Sequence, residues 1–189
     1  RAQFPASARE GVWFLCNPVC GKWLRSGAKN KDKSPKLSRR SSANVTAWRY
    51  MLLEADDVDA EEWLAVVSQL PLAVAAIYTS GGRSMHVLVR VDALCRDDFF
   101  RIAKKVEPVV AALGGDAAAI SGVRLTRLPF CLREGSVGKD GKYVKYAEPR
   151  LQRLLYLNPE PLVRELCKMK RVRVYPVKGD KVDVEVNNG

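Results

Sequence analysis

Two carboxylates stand two residues apart in the segment Trp48-Arg-Tyr-Met-Leu-Leu-Glu54-Ala-Asp56-Asp57. In an extended chain successive side chains point to opposite faces. Tyr50, Leu52, Glu54 and Asp56 then share one face, and Met51, Leu53 and Ala55 share the other. Two carboxylates at that spacing can grip one hard cation. Mg²⁺ and Mn²⁺ take oxygen ligands, and Mg²⁺ is commonly held by one or two carboxylates together with substrate phosphates. The plainer reading is a strand that runs into an acidic turn or helix start at Asp56, Asp57 and Asp59.

A second segment, Tyr78-Thr-Ser-Gly-Gly-Arg83-Ser84-Met-His86-Val-Leu-Val-Arg-Val, adds context. Met85, Val87, Val89 and Val91 form an apolar face, with Ser84, His86, Leu88 and Arg90 opposite. Gly81-Gly82 is a turn signal and 74–80 is another β-rich run, so the spacing predicts a hairpin. His86 is the only histidine of the chain. A lone strand histidine is often structural. This one follows Gly-Gly-Arg-Ser, a loop able to donate several hydrogen bonds to an anion, which points to phosphate.

The elements that must position these groups are legible in outline. Residues 11–15 read as a strand. From Lys22 to Arg40 the composition turns basic: Lys29, Lys31, Lys33, Lys36, Arg39 and Arg40 are among eight cations set against the single acid Asp32. Gly27, Asn30, Ser34 and Pro35 argue against regular structure there, so a mobile basic loop is expected, either merely solvated or in contact with phosphates. It leads through Ser42-Ala-Asn44 into the acidic strand, which makes Arg39, Arg40 and Asn44 candidates for the edge of a site. Asp59, with Glu62 three residues on, marks a helix start, and Trp63, Val66, Val67 and Leu70 give it an apolar stripe. Residues 97–113 read as a second helix with a kink or break at Pro108. Strand, helix, hairpin, helix suits a sheet backed by helices. Residues 134–142 read as a flexible turn, 151–157 as a strand, 159–169 as a helix and 172–189 as a hairpin or linker.

The segments Leu53-Glu54-Ala55-Asp56, Ser84-Met85-His86 and Val123-Arg124-Leu125-Thr126-Arg127-Leu128-Pro129 together resemble the archaeo-eukaryotic primase superfamily. Within it they are most similar to the primase-polymerases of phages, plasmids and mobile elements. The family has a hydrophobic strand ending in acidic-x-acidic, then Ser-x-His on a following strand, then an Arg-Leu-Pro segment. The resemblance spans roughly residues 10–160. It implies an α+β fold: a catalytic core with an RNA-recognition-motif-like or ferredoxin-like antiparallel sheet backed by helices, plus a smaller N-terminal α/β part. The catalytic domain would cover 1–171.

It also implies template-directed nucleotidyl transfer with Mg²⁺ or Mn²⁺ as cofactor. Glu54, Asp56 and His86 would be catalytic, with Glu54 and Asp56 holding metal. The family places a third acidic ligand just before its Arg-Leu-Pro segment. This chain has Ser121 and Gly122 there, and Asp116 is the nearest acid. Arg83, Ser84, His86 and Arg127 would bind the triphosphate. In a regular strand Arg124 and Arg127 point to opposite faces, so one of the two, Arg127, is expected to reach it. The implied partners are single-stranded DNA template, primer and (d)NTP, with a helicase or other replication module in the parent protein.

Composition sets the bounds. The chain has 189 residues, 47% hydrophobic, enough for one large domain or two lobes sharing a core. Its net charge of +11 favours a polyanionic partner, nucleic acid before an anionic membrane surface. No apolar run is long enough to span a bilayer and no signal peptide is visible, so a cytoplasmic setting with reduced thiols is expected for the five cysteines. Cys16 and Cys20 lack further ligands for a zinc site. The first residue is Arg, which suggests a segment of a longer protein. Two rivals remain. A rolling-circle nuclease typically needs a histidine pair, which one histidine cannot supply. A non-catalytic single-stranded nucleic-acid-binding module of similar fold would leave Glu54 and Asp56 incidental.

Overall fold

The computed structural model describes residues 4–138 and 140–159, together with the backbone of 172–174 and 182–184. The fold is mixed α+β, with strands in several mostly antiparallel sheets and two α-helices among the described residues. The helix expected at 159–169 lies outside them.

The central sheet is built from β5 (Trp48–Ala55), β6 (Val74–Thr79), β7 (Met85–Ala93) and β11 (Leu154–Leu157). Its order is β11-β6-β7-β5, antiparallel throughout. The alternation read from the sequence sets its two faces. Met51, Leu53, Ala55, Ile77, Val87 and Val89 belong to one apolar core. Against them pack α1 (Ala60–Val67), through Trp63 and Val67, and α2 (Arg96–Ala112), through Phe99, Val106 and Val110. Asp59 caps α1 as expected, accepting from the backbone N–H of Glu61 at 2.9 Å and of Glu62 at 3.3 Å. No break occurs in α2 at Pro108; the helix continues four residues beyond it. The apolar face, with Val106, Val109 and Val110 all buried, holds the helix on the sheet across that point.

The strand order departs from a ferredoxin-like sheet at one edge. There, the strand following the second helix would lie beside the first strand. Here β8 (Leu125–Arg127) pairs instead with β2 (Trp13–Leu15), and β11 extends the sheet on the β6 side. Asn17 occupies the β5 edge. Its Nδ2 donates to the carbonyls of Tyr50 (2.8 Å) and Gly122 (3.2 Å), and its Oδ1 accepts from the N–H groups of Arg49 and Tyr50, both at 2.8 Å. One buried amide thereby satisfies strand-edge groups that a neighbouring strand would otherwise pair.

Three sequence expectations change. First, the described residues before β5 hold strands and one 3₁₀ turn (Ser42–Asn44) but no α-helix, so this part is not α/β. Second, the basic stretch is a two-stranded hairpin, β3 (Leu24–Lys29) with β4 (Pro35–Ser38), rather than an irregular loop. Its turn is locked by polar groups: Asp32 accepts from the Ser34 N–H at 2.9 Å, and the Asn30 N–H donates to the Ser34 carbonyl at 2.9 Å. Turn residues here close a ladder instead of preventing one. Third, the flexible turn expected at 134–142 shrinks to the residues around Gly141, because β9 (Leu132–Val137) and β10 (Tyr143–Leu151) pair on either side. With β1 (Ser7–Ala8) they make a sheet of order β1-β9-β10. The strand expected over 151–157 is split accordingly. In the tail, β12 (Val172–Val174) and β13 (Val182–Val184) pair antiparallel.

Candidate active site

On the face of the central sheet away from the helices, the register aligns three polar residues across three strands. Glu54 is opposite His86, and His86 is opposite Tyr78. All three are buried. Burial of such groups is costly unless their polar atoms are partnered. Thr126, on β8 above the row, supplies two of the partnerships: its Oγ1 lies 2.7 Å from the Tyr78 hydroxyl and 2.8 Å from His86 Nδ1. His86 Nε2 lies 3.3 Å from Glu54 Oε2. An ionised carboxylate can only accept, so the imidazole proton belongs on Nε2, and Nδ1 accepts from the Thr126 hydroxyl. Tyr78 then donates to Thr126. The chain of donors runs one way, from Tyr78 towards Glu54.

Burial lowers the His86 pKa to about 3, with Arg127, Arg124 and Arg133 adding to the effect. The imidazole is therefore neutral at physiological pH, and its contact with Glu54 is a hydrogen-bonding pair rather than an ion pair. Burial also pushes the Glu54 carboxyl up, opposed by the charge and hydrogen bond of Arg124. The Tyr78 phenol is raised by burial too.

An acidic corner adjoins the row. Asp56 follows β5 and is exposed. Asp116 is brought to Glu54 by the backbone, its N–H donating to the Glu54 carbonyl at 2.8 Å. Its side chain caps the 3₁₀ turn Ala117–Ala119, accepting from the Ala118 N–H at 2.9 Å. Between the two acids stands Arg124. Its Nη2 donates to Glu54 Oε1 and lies 3.6 Å from Asp116 Oδ2. Among the described residues, no group of three or more His, Cys, Asp or Glu side chains is gathered so as to hold a metal ion. The donors nonetheless have the chemistry of a hard-cation site. Glu54, Asp56 and Asp116 all offer carboxylate oxygens, and one or two carboxylates can hold such a cation where substrate phosphates complete the shell. Arg124 supplies positive charge at that position.

The row and the corner open into a cavity of about 640 Å³. Four arginines line it: Arg40, Arg124, Arg127 and Arg133. Arg124 and Arg127 both face it, against the expectation that they would diverge. The strand β8 begins at Leu125, so Arg124 precedes the alternation; its N–H bonds the Ser121 carbonyl in a turn. The Ser80–Ser84 turn closes one side. The Ser80 N–H donates to the Ser84 carbonyl at 3.1 Å, the Gly82 N–H to Ser80 Oγ at 3.1 Å, and Ser84 Oγ to Ser80 Oγ at 3.1 Å. Gly81 sits at φ +67°, and a Cβ placed there would come within 3.2 Å of the Arg150 carbonyl oxygen, a conformation and a closeness that favour glycine. Arg133 steadies the turn from the next sheet, its Nη1 3.4 Å from the Ser80 carbonyl.

The sequence candidates divide clearly. Glu54, Asp56, Ser84, His86, Arg127 and Arg40 line the one cavity. Asp116 reaches it through Arg124. Arg83 is exposed and lines a second hollow with Asp56, Asp57 and Asp59. Lys29, Lys31, Lys33, Lys36 and Arg39 are exposed on or beside the basic hairpin, outside the cavity lining. Asn44 is buried, its amide donating to the Ser38 carbonyl at 3.0 Å and to Ser41 Oγ at 2.9 Å, so it serves the fold. Sequence reasoning missed Tyr78, Thr126, Arg133 and Trp13. Pairing register across the hairpin would have found Tyr78. Thr126 and Arg133 depend on long-range packing that no local pattern encodes.

No family model, curated protein or solved structure matches the chain. The likeness to primase-polymerases accordingly rests on its motifs.

Proposed function

We propose that this chain is a DNA primase-polymerase catalytic domain that joins (d)NTPs to a 3′-hydroxyl, or to an initiating nucleotide, under the direction of a single-stranded template. The observation that carries this reading is the cavity itself. It joins buried Glu54 and His86, with Asp56 beside them, to a wall of arginines and a hydroxyl-bearing glycine turn. Carboxylates for a divalent ion and cations for a triphosphate are the two halves of a nucleotidyl-transfer site. The motif resemblance points the same way.

In the reaction the 3′-oxygen attacks the α-phosphorus. The bond from that phosphorus to the bridging oxygen breaks, pyrophosphate leaves, and the 3′-hydroxyl proton passes to solvent or base. Glu54 and Asp56, with Asp116 adjoining, would hold Mg²⁺ or Mn²⁺, which would supply charge at the phosphates and acidify the attacking hydroxyl. Ser84 and the Ser80–Ser84 turn offer hydrogen bonds to phosphate oxygens. Arg127, Arg133 and Arg40 add charge-assisted contacts. The neutral His86 holds its Nε2 proton towards Glu54 and orients that carboxylate. The basic hairpin, carrying Lys29, Lys31, Lys33 and Lys36, would track the template backbone. Arg83, on the outer hollow, is a weaker candidate for the triphosphate than Arg133. A helicase or other replication module remains the proposed partner in the parent protein. No helix among the described residues is long and apolar enough to cross a membrane.

A second reading draws on Arg124. Because its guanidinium already pairs with Glu54 and approaches Asp116, the same cavity suits a non-catalytic module that binds nucleic acid or nucleotide. Primer extension on a single-stranded template separates the two. The primase-polymerase reading expects incorporation that requires Mg²⁺ or Mn²⁺, follows the template, and is lost in Glu54→Ala/Asp56→Ala. DNA binding without incorporation under either ion would favour the module. A reaction without primer distinguishes initiation from extension.

A further inference from the structure

Resting on the nucleotide-site reading above, we propose that Trp13 is the platform on which the base of the bound nucleotide stacks. Trp13 opens β2 and is the register partner of Arg127 across the β2–β8 pair. The Arg127 guanidinium carbon lies 3.2 Å from the centre of the Trp13 ring, covering one face. Arg127 is itself buried and anchored by a hydrogen bond from Nη1 to the Glu10 carbonyl. Yet Trp13 remains 44% exposed. With one face covered, the exposed surface is the other face and the ring edge, and Trp13 lines the same cavity as Ser84, His86 and Arg124.

An indole held between a fixed cation and an open cavity is a rigid, flat, apolar surface in a pocket otherwise lined mainly by charged and polar groups. The ligand chemistry that uses all of this is a nucleoside polyphosphate. The polyphosphate goes to the arginines and the Ser80–Ser84 turn, and the base lies on Trp13. Stacking on an aromatic face tolerates every base, because each has a π-face. A platform of this kind holds any of the four nucleotides and leaves the choice among them to the template.

The test compares two ligands and two variants by equilibrium binding in Mg²⁺. The ligands are dATP and inorganic tripolyphosphate. Trp13→Leu keeps an apolar cover over Arg127 but has no π-face; Trp13→Phe keeps the π-face. The proposal expects Trp13→Leu to weaken dATP about tenfold and Trp13→Phe to weaken it less than about threefold, with tripolyphosphate unchanged in both. Equal weakening of both ligands would mean that Trp13 only props Arg127, and no change in either would remove any role; each overturns the proposal. Wild-type protein that binds dATP no better than tripolyphosphate overturns the platform while leaving the anion site intact. Wild-type protein that binds neither overturns the nucleotide-site reading as well. Fluorescence gives a readout independent of Trp13 substitution. Trp48 and Trp63 are buried, so in Trp23→Phe protein the exposed indole is Trp13. Quenching by dATP but not by tripolyphosphate is expected, and equal response to the two overturns the stack.

Discussion

The two faces of the central sheet are made by the same strands and are buried to a similar degree, yet they are built on opposite principles. Towards the helices, Met51, Leu53, Val87 and Val89 meet Trp63, Phe99 and Val110. Each contact there is non-directional, and burial itself supplies the free energy, at about 25 cal/mol per Å² of apolar surface. On the other face, one residue along each strand, Glu54, His86 and Tyr78 are buried as polar groups. Their desolvation is offset through specific partners: Thr126 for His86 and Tyr78, and Arg124 and His86 for Glu54. A buried ion pair gives weak support to stability, since apolar residues of similar size often do as well. The polar face is therefore better explained by what it does at the cavity than by what it adds to the fold.

That contrast can be broken from either side. The largest effect is expected at Glu54→Gln, which keeps the shape of the side chain and removes its charge. Primer extension should fall at least about a thousandfold, corresponding to roughly 4 kcal/mol of barrier. On the apolar face, Leu53→Ala should cost about 3 kcal/mol of unfolding free energy in urea titrations, with extension by the folded fraction retained. A loss of stability at Glu54→Gln as large as that at Leu53→Ala would erase the distinction between the faces.

A smaller effect concerns pH. Cys16 follows β2, is buried, and has its thiol pKa raised to about 11 by that burial. The unfolded thiol, near its ordinary value of 9.0, ionises first. The folded state therefore keeps a proton that the unfolded chain releases, and stability falls as pH rises from about 9 to about 11. The contribution is on the order of 2 kcal/mol. Unfolding curves of wild type and Cys16→Ala across that window should converge in their pH dependence except for this loss, which the variant lacks.

The smallest effect lies outside both faces. Replacing Lys29, Lys31, Lys33 and Lys36 together with Ala should weaken single-stranded DNA about tenfold. It should also flatten the dependence of log K on log salt by up to about 3, since each phosphate contact contributes about 0.7. Nucleotide binding should be untouched, because those lysines do not line the cavity.

What could be read in advance follows the same division. Alternation over 48–56 and 84–91 fixed which residues share a face, and both faces are as read, with Glu54 and His86 together. Composition at Asp59 and along 97–113 located the helices, because caps and apolar stripes are local signals. The failures are non-local. Asn17 closes the β5 edge by reaching a backbone more than thirty residues away, and nothing around it marks that role. The basic stretch looked unstructured because its turn residues were weighed without the ladder they close. Arg124 was set aside in favour of Arg127 because strand alternation was extended one residue ahead of the true start of β8 at Leu125. Register also carries information: aligning the hairpin about Gly81-Gly82 sets Tyr78 opposite His86, so Tyr78 was within reach of sequence reasoning.

The central claim is that the polar face is a catalytic surface and not a structural accident. The most direct test measures primer extension and thermal unfolding on the same preparation of Glu54→Gln, beside wild type, with Mn²⁺ present. The account predicts template-directed, metal-dependent extension by wild type, its loss in the variant, and an unfolding temperature within a few degrees of wild type. Full extension by a folded Glu54→Gln protein would contradict it.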